Sequence, residues 1–190
     1  MMERIVLASG SPRRKQLLEW AEVDFEVIVA DTPETYPTGL PVGLVPVHIA
    51  RNKALAVKKQ LTSDRIVLAA DTVVVLEGDI IGKPRDRDDA VNILMRLTGN
   101  QHEVITGVIL SRGDQEVAFA DSTAVWFHEL TKAQIEAYVD KYRPYDKAGA
   151  YAIQEWIGVV GIRGIEGDFY NVMGLPVSRV VQELAQFGEL

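Results

Sequence analysis

Along this chain, short unbroken apolar runs alternate with stretches whose apolar residues recur every three or four positions, which predicts strands interleaved with helices. Residues 5–8, Ile-Val-Leu-Ala, predict a strand. A helix follows Ser11-Pro12, since proline suits the first helical position, and Leu17, Leu18 and Trp20 are expected on one of its faces. Residues 25–29 predict a second strand. Residues 31–39, with two prolines and a glycine, predict a loop. Residues 45–60 predict a helix whose apolar face holds Val47, Ala50, Ala54 and Val57.

Residues 65–76 predict a long strand, folded into a hairpin by Glu77-Gly78-Asp79. A helix is expected over 86–97, with Asp86, Asp88 and Asp89 at its start, where the helix dipole favours acids. Strands at 103–111 and 116–128 flank Arg112-Gly113-Asp114, and Thr131 caps a helix running to Tyr142. Residues 151–154 and 159–165 predict strands, Glu166-Gly167-Asp168 a turn, and 169–172 a strand pairing back. Pro176 opens a last helix ending at Gly188. Helices mixed with hairpins predict an α/β fold with a long, curved, mixed sheet. The 190 residues suffice for one domain with a sizeable core, read here as residues 1–190.

Composition narrows the function. The absence of cysteine excludes disulfides, thiol catalysis, zinc–thiolate sites and iron–sulfur clusters, and fits a reducing compartment. No apolar run reaches the ~20 residues of a membrane span. Met1-Met2-Glu3-Arg4 leads straight into the first strand without a separate hydrophobic region and cleavage site, so no signal peptide is expected. The expectation is a cytoplasmic protein with no membrane partner. A net charge of −7 argues against a nucleic-acid polymer as partner. A small anionic ligand stays open, because a few cations in one pocket outweigh the global field locally.

Against that acidic background, Arg13, Arg14 and Lys15 stand at the mouth of a helix, where the dipole disfavours cations. The preceding Ser9-Gly10-Ser11 turn offers free N–H groups and two hydroxyls. A bound phosphate would favour the cations, since arginine binds it bidentately; the alternative is a solvated basic stretch. Asp71 interrupts an apolar strand, where an ionised carboxylate is costly unless paired or metal-bound. It reads as a general base or Mg²⁺ ligand, or as a structural aspartate satisfied by backbone N–H groups. An unpaired Asp71 predicts that Asp71→Asn holds or raises stability. Gly82 and Pro84 would aim Lys83, or leave it a solvated turn residue. Lys53 lies on a helical face with no distinguishing neighbours. In residues 143–154, Asp146-Lys147 precede small residues that allow close backbone approach. The Gln154 amide offers an adjacent donor and acceptor, matching the imide edge of uracil, although guanine shows such a pair as well. His48, His102 and His128 have no ligand spacing and read as ordinary polar residues. No Walker A or dinucleotide fingerprint is present.

Ser9-Gly-Ser-Pro-Arg-Arg14, Lys53-Ala54, Ala70-Asp-Thr-Val73, Gly82-Lys-Pro84, Asp146-Lys-Ala-Gly-Ala-Tyr151 with Ile153-Gln154, and Asn171-Val-Met-Gly-Leu-Pro176 follow one another in an order that resembles the Maf family of nucleoside triphosphate pyrophosphatases, historically called septum-formation inhibitors. The resemblance covers essentially the whole chain. It implies hydrolysis of a nucleoside triphosphate to the monophosphate and pyrophosphate with a divalent metal, Mg²⁺ or Mn²⁺. The form "DKAGAYAIQ" resembles the branch acting on dTTP and UTP rather than the one preferring 7-methyl-GTP. The implied fold is a long mixed sheet around a deep central cleft, similar to inosine triphosphate pyrophosphatases, and the implied assembly is a homodimer. Residue by residue, Asp71 matches the catalytic acid–base aspartate. Arg13, Thr72 and Gln154 match positions tied to substrate choice. Arg14, Lys53 and Lys83 match phosphate-binding basic residues, and Ser9 and Ser11 the phosphate loop. A loop carboxylate that would join Asp71 at the metal matches Glu34, with Asp31 as competitor. Glu155-Trp-Ile-Gly158 departs from the Gly-rich form expected there. The alternative function is a nucleotide-binding regulator of cell division with incidental hydrolysis; a phosphotransferase lacks an acceptor motif.

Overall fold

A computed structural model describes residues 4–187. Its elements are, in order, β1 (Ile5–Leu7), α1 (Pro12–Trp20), β2 (Phe25–Val27), α2 (Val45–Lys58), β3 (Val67–Leu76), β4 (Asp79–Ile81), α3 (Arg87–Leu97), β5 (Gln101–Arg112), β6 (Gln115–Phe127), α4 (Lys132–Tyr142), α5 (Trp156–Gly161), β7 (Ile162–Glu166), α6 (Phe169–Met173) and α7 (Val177–Ala185). Seven strands form one mixed sheet in the order β2-β1-β3-β5-β6-β7, with β4 paired to β3. β1 runs parallel to both β2 and β3, whereas the β3/β4 and β6/β7 pairs are antiparallel. The α/β class with a mixed sheet is therefore as the sequence predicts. No helix among the described residues is long and apolar enough to cross a membrane.

The chain divides into two units, and it passes from one to the other within β3, β5 and β6. The first holds residues up to Thr72, Thr106–Asp121 and the segment from Gly174 onward. Its core is formed by Val6 and Ala8, Val67 and Ala69, and Ile109, covered by Val47, Ala50, Ala54 and Val57 of α2. Those four helix positions are the predicted apolar face. The helix start lies directly on the sheet, because Gly107 of β5 has no side chain: a methyl there would sit 2.2 Å from the Val47 nitrogen. On α1, Leu17 and Leu18 are buried as expected, but Trp20 is 59% exposed. Two adjacent leucines already fill the inward arc of this helix.

The second unit comprises Val73–Ile105 and Ser122–Met173. The Asp86 side chain caps α3 by accepting from the Asp89 N–H at 2.8 Å. Thr131 and Gln134 form a reciprocal capping box at the start of α4. The C-terminal part of this unit departs from the sequence reading. Residues 151–154 are not a strand: Gly149 and Ala150 both have positive φ, +70° and +58°, and the Glu155 N–H closes a turn onto the Ala152 carbonyl. The strand predicted over 159–165 begins only at Ile162, since α5 takes the preceding residues. The expected returning strand at 169–172 is the short helix α6, begun by the Asp168 carboxylate accepting the Tyr170 N–H at 2.8 Å. A short apolar run does not distinguish strand from helix by periodicity. The final helix spans Val177–Ala185, and its predicted end at Gly188 lies outside the described residues.

Candidate active site

In the first unit, three long-range contacts draw the predicted residues together. β3 is buried along nearly its whole length, so it can carry a carboxylate only with a partner. The Lys53 ammonium supplies it, 2.7 Å from Asp71 Oδ1. The same ammonium donates to Glu34 Oε1 at 2.9 Å, so one cation on α2 bridges two carboxylates from a strand and a loop. The Asp71 and Lys53 side chains are only 11% and 17% exposed, whereas Glu34 is 44% exposed. Asp71 is thus neither unpaired nor held by backbone alone. Of the two candidate loop carboxylates, Glu34 is the one bonded to Lys53.

Ser9, Gly10, Asp31, Glu34 and Lys53 line a pocket of about 340 Å³, together with Ala8, Val29, Ala30, Thr32 and Val57. Asp31 therefore faces the same space as Glu34. Ser11 lies at the N-terminus of α1 without a side-chain cap bond, and its N–H donates to Ser9 Oγ at 3.3 Å.

Arg14 is not a solvated cation. It is 8% exposed, and its guanidinium donates to Gly174 O at 2.8 Å, Ser9 Oγ at 3.1 Å and Thr72 Oγ1 at 3.0 Å. All three acceptors are neutral. Burial pushes the guanidinium below its ordinary value, and the nearby Asp71 charge opposes that shift. Thr72 Oγ1 also meets Thr106 Oγ1 at 2.9 Å, which fixes the threonine that receives Arg14. Arg13 is half-buried on the same helix turn. The Gly174 carbonyl is a site feature that the sequence reading missed. Its signal was present in Asn171-Val-Met-Gly-Leu-Pro176, and Gly174 has φ +120°, a conformation that side-chain-bearing residues rarely adopt.

Lys83 and Gln154 lie in the second unit, both exposed. The Gly82 carbonyl accepts the Gly149 N–H at 3.1 Å, so the backbone beside Lys83 is joined to the Asp146–Tyr151 motif. Gly149 is required at that position, since a methyl would sit 2.9 Å from Val74 Cγ2. Lys147, to which the sequence reading gave no role, is buried, with Asp146 Oδ1 at 2.8 Å and Glu155 Oε1 at 3.7 Å. His102, also read as ordinary, is buried against Phe127 and Tyr151, and its Nε2 meets Tyr151 Oη at 2.7 Å. Burial lowers its pKa to about 4 and raises that of the Tyr151 hydroxyl. His102 acts as a neutral core group on this geometry.

Chemically, the first unit offers a carboxylate held against an ammonium, a second carboxylate on that ammonium, and a buried arginine beside a serine-rich helix start. Such a set can orient a water and neutralise an anion. Among the described residues there is no cluster of three or more His, Asp or Glu residues able to cage a metal.

Comparison with known proteins places relatives over most of the chain. A family described as Maf-like protein matches residues 4–187. A dTTP/UTP pyrophosphatase of Cytophaga hutchinsonii is 48% identical over 95% of this chain and 82% of its own length. One of Parabacteroides distasonis is 46% identical over 97% of this chain and 96% of its own. Among solved structures, the Staphylococcus aureus Ham1 protein overlaps 67% of this chain and 73% of its own at 19% identity, with a TM-score of 0.49.

Proposed function

The chain belongs to the Maf family, and from that premise we propose that it is a nucleoside triphosphate pyrophosphatase that hydrolyses dTTP and UTP to the monophosphate and pyrophosphate. The relatives named for that activity, at 43–48% identity, support the substrate class. The observation that carries the chemistry is the Lys53 ammonium held between Glu34 and Asp71 in a pocket bordered by Ser9.

In this reading the triphosphate lies at the start of α1. Backbone N–H groups, the Ser9 and Ser11 hydroxyls and the cations Arg13, Arg14 and Lys53 of the first unit bind it; Lys83 keeps the phosphate-binding role that the family resemblance implies. Arg14, already oriented by three neutral acceptors, supplies positive charge without losing rotamer freedom on binding. Lys53 occupies Asp71 Oδ1, and the other carboxylate oxygen takes a proton from the water attacking the α-phosphorus. Lys53 holds the carboxylate orientation and faces the developing phosphate charge. Gln154 pairs with the imide edge of the pyrimidine, while Arg13 and Thr72 shape substrate choice.

The Glu34 and Asp71 carboxylates, brought together on Lys53, fit a divalent cation that arrives with the nucleotide, because Mg²⁺ is commonly held by one or two carboxylates plus phosphate oxygens. Glu34 and Asp71 are the residues that would hold Mg²⁺ or Mn²⁺. When bound, the cation neutralises charge on the leaving pyrophosphate. The reading extends to a cytoplasmic homodimer, which light scattering on the purified protein checks. A regulator with incidental hydrolysis has no specific observation in its favour, since a pure binder does not need the Lys53–Asp71 pair.

The test is product analysis. UTP and dTTP incubated with the protein and Mg²⁺ should release pyrophosphate and the monophosphate, and a chelator should stop the reaction. Orthophosphate with a diphosphate product would place the cleavage at the wrong bond and refute the assignment.

A further inference from the structure

Within the second unit, the residue next to Gln154 is tied down more firmly than Gln154 itself. Glu155 accepts a hydrogen bond from the Tyr138 hydroxyl of α4 through Oε2. Its Oε1 faces the Lys147 ammonium at 3.7 Å. The Glu155 and Lys147 side chains are 21% and 11% exposed, and Tyr138 is 1% exposed. Tyr138 is itself held by ring stacking on Tyr142 and Trp156, with centroids 4.9 and 6.4 Å away. Burial and the Glu155 carboxylate both raise the pKa of its hydroxyl, which remains a donor.

The backbone reinforces this anchor. The Glu155 N–H bonds to the Ala152 carbonyl at 3.1 Å, and the Gly158 N–H to the Glu155 carbonyl at 2.9 Å. Gly158 lets the first turn of α5 lie against the preceding loop, since a methyl there would fall 1.6 Å from the Ile153 oxygen. Gln154 sits between these fixed points with an exposed side chain. An exposed amide reads a base edge well only if its backbone is held beforehand, because ordering it on binding subtracts from affinity.

We propose that Glu155 is a positioning residue for base selection: held by Tyr138 and Lys147, it fixes the turn that presents Gln154. The inference rests on the base-reading role proposed for Gln154. It explains why a carboxylate and an aromatic ring stand in Glu155-Trp156, where the family resemblance led us to expect glycine.

Steady-state kinetics with UTP, dTTP and CTP test it, using Glu155→Gln and Tyr138→Phe in the full chain. Each variant should raise the KM for UTP and dTTP by about fivefold and narrow the UTP-to-CTP ratio of kcat/KM by a similar factor, with kcat changed by less than about twofold. A purely structural role would instead lower kcat in step with the folded fraction and leave KM and the ratio in place. Wild-type KM and ratio in either folded variant, or a fall in kcat alone, would overturn the proposal. Should Glu155→Gln fail to fold, Tyr138→Phe, which keeps the stacked ring, decides by the same criteria. A wild-type protein that turns over neither UTP nor dTTP refutes the activity reading, and this inference with it. An active wild type with unmoved variants refutes the inference alone.

Discussion

Asp71 and Lys53 show how one contact changes an expectation. Taken as a lone carboxylate in an apolar strand, Asp71 should tolerate neutralisation. With the Lys53 ammonium 2.7 Å away and both side chains largely buried, Asp71→Asn keeps an acceptor oxygen but removes the charge, which leaves the more exposed Glu34 to compensate the Lys53 ammonium. Stability should therefore fall, by about 1–3 kcal/mol, rather than hold. Turnover should fall by about 10²-fold or more, as expected when a general base is lost. Thermal melts and turnover on the same preparation measure both, and near-normal turnover per folded molecule would remove Asp71 from the mechanism. Asp71 was legible in the sequence because it broke an apolar run. Lys53 was legible only through family resemblance, since a lysine on a helix face looks like any other until the strand opposite is known.

At the scale of elements, α2 carries Lys53, and the seat of α2 is Gly107. The Val47 nitrogen and the Pro46 carbonyl carbon would stand 2.2 and 2.3 Å from a methyl at that position, and both are backbone atoms that cannot rotate away. Gly107→Ala should destabilise the protein by about 1–3 kcal/mol or more, the usual range for overpacking. Turnover should drop beyond the loss of folded protein, because the helix must shift and take Lys53 with it. A melting temperature within a degree of wild type would show that the close approach does not exist. Elements with local signals were readable: the Thr131 cap, the acids at the start of α3 and the α2 apolar face each depend on residues within a few positions. Residues 151–154, 159–161 and 169–172 were misread because the local residue types suit strands, while positive φ at Gly149 and Ala150 and the seating of Gly158 on Ile153 depend on what packs there.

Stability belongs to the whole molecule, and His102 links it to pH. Its folded pKa of about 4 lies below the ordinary 6.5 because burial disfavours the charged ring. Between those values the unfolded chain binds a proton that the folded protein does not. This contribution is complete above pH 6.5, falls as pH drops through the window, and is fully lost near pH 4. The linkage amounts to up to about 3 kcal/mol. Denaturant midpoints between pH 7 and 4.5 should fall more steeply for wild type than for His102→Gln. Equal slopes would mean that His102 titrates normally in the folded state. If residues 1–190 act as the single domain we propose, fluorescence and circular dichroism should report one coincident transition.

Periodicity, caps and turn residues report on neighbours within a turn or two, which is why they sufficed for the α/β class and most element positions. The contacts that make a site join residues far apart in the chain: 18 positions for Lys53 with Asp71, 19 for Lys53 with Glu34, and 160 for Arg14 with Gly174. Nothing in a local pattern specifies such pairs. Strand order and register bring them together, and those follow from the burial of α2 on β1, β3 and β5 as a collective packing problem.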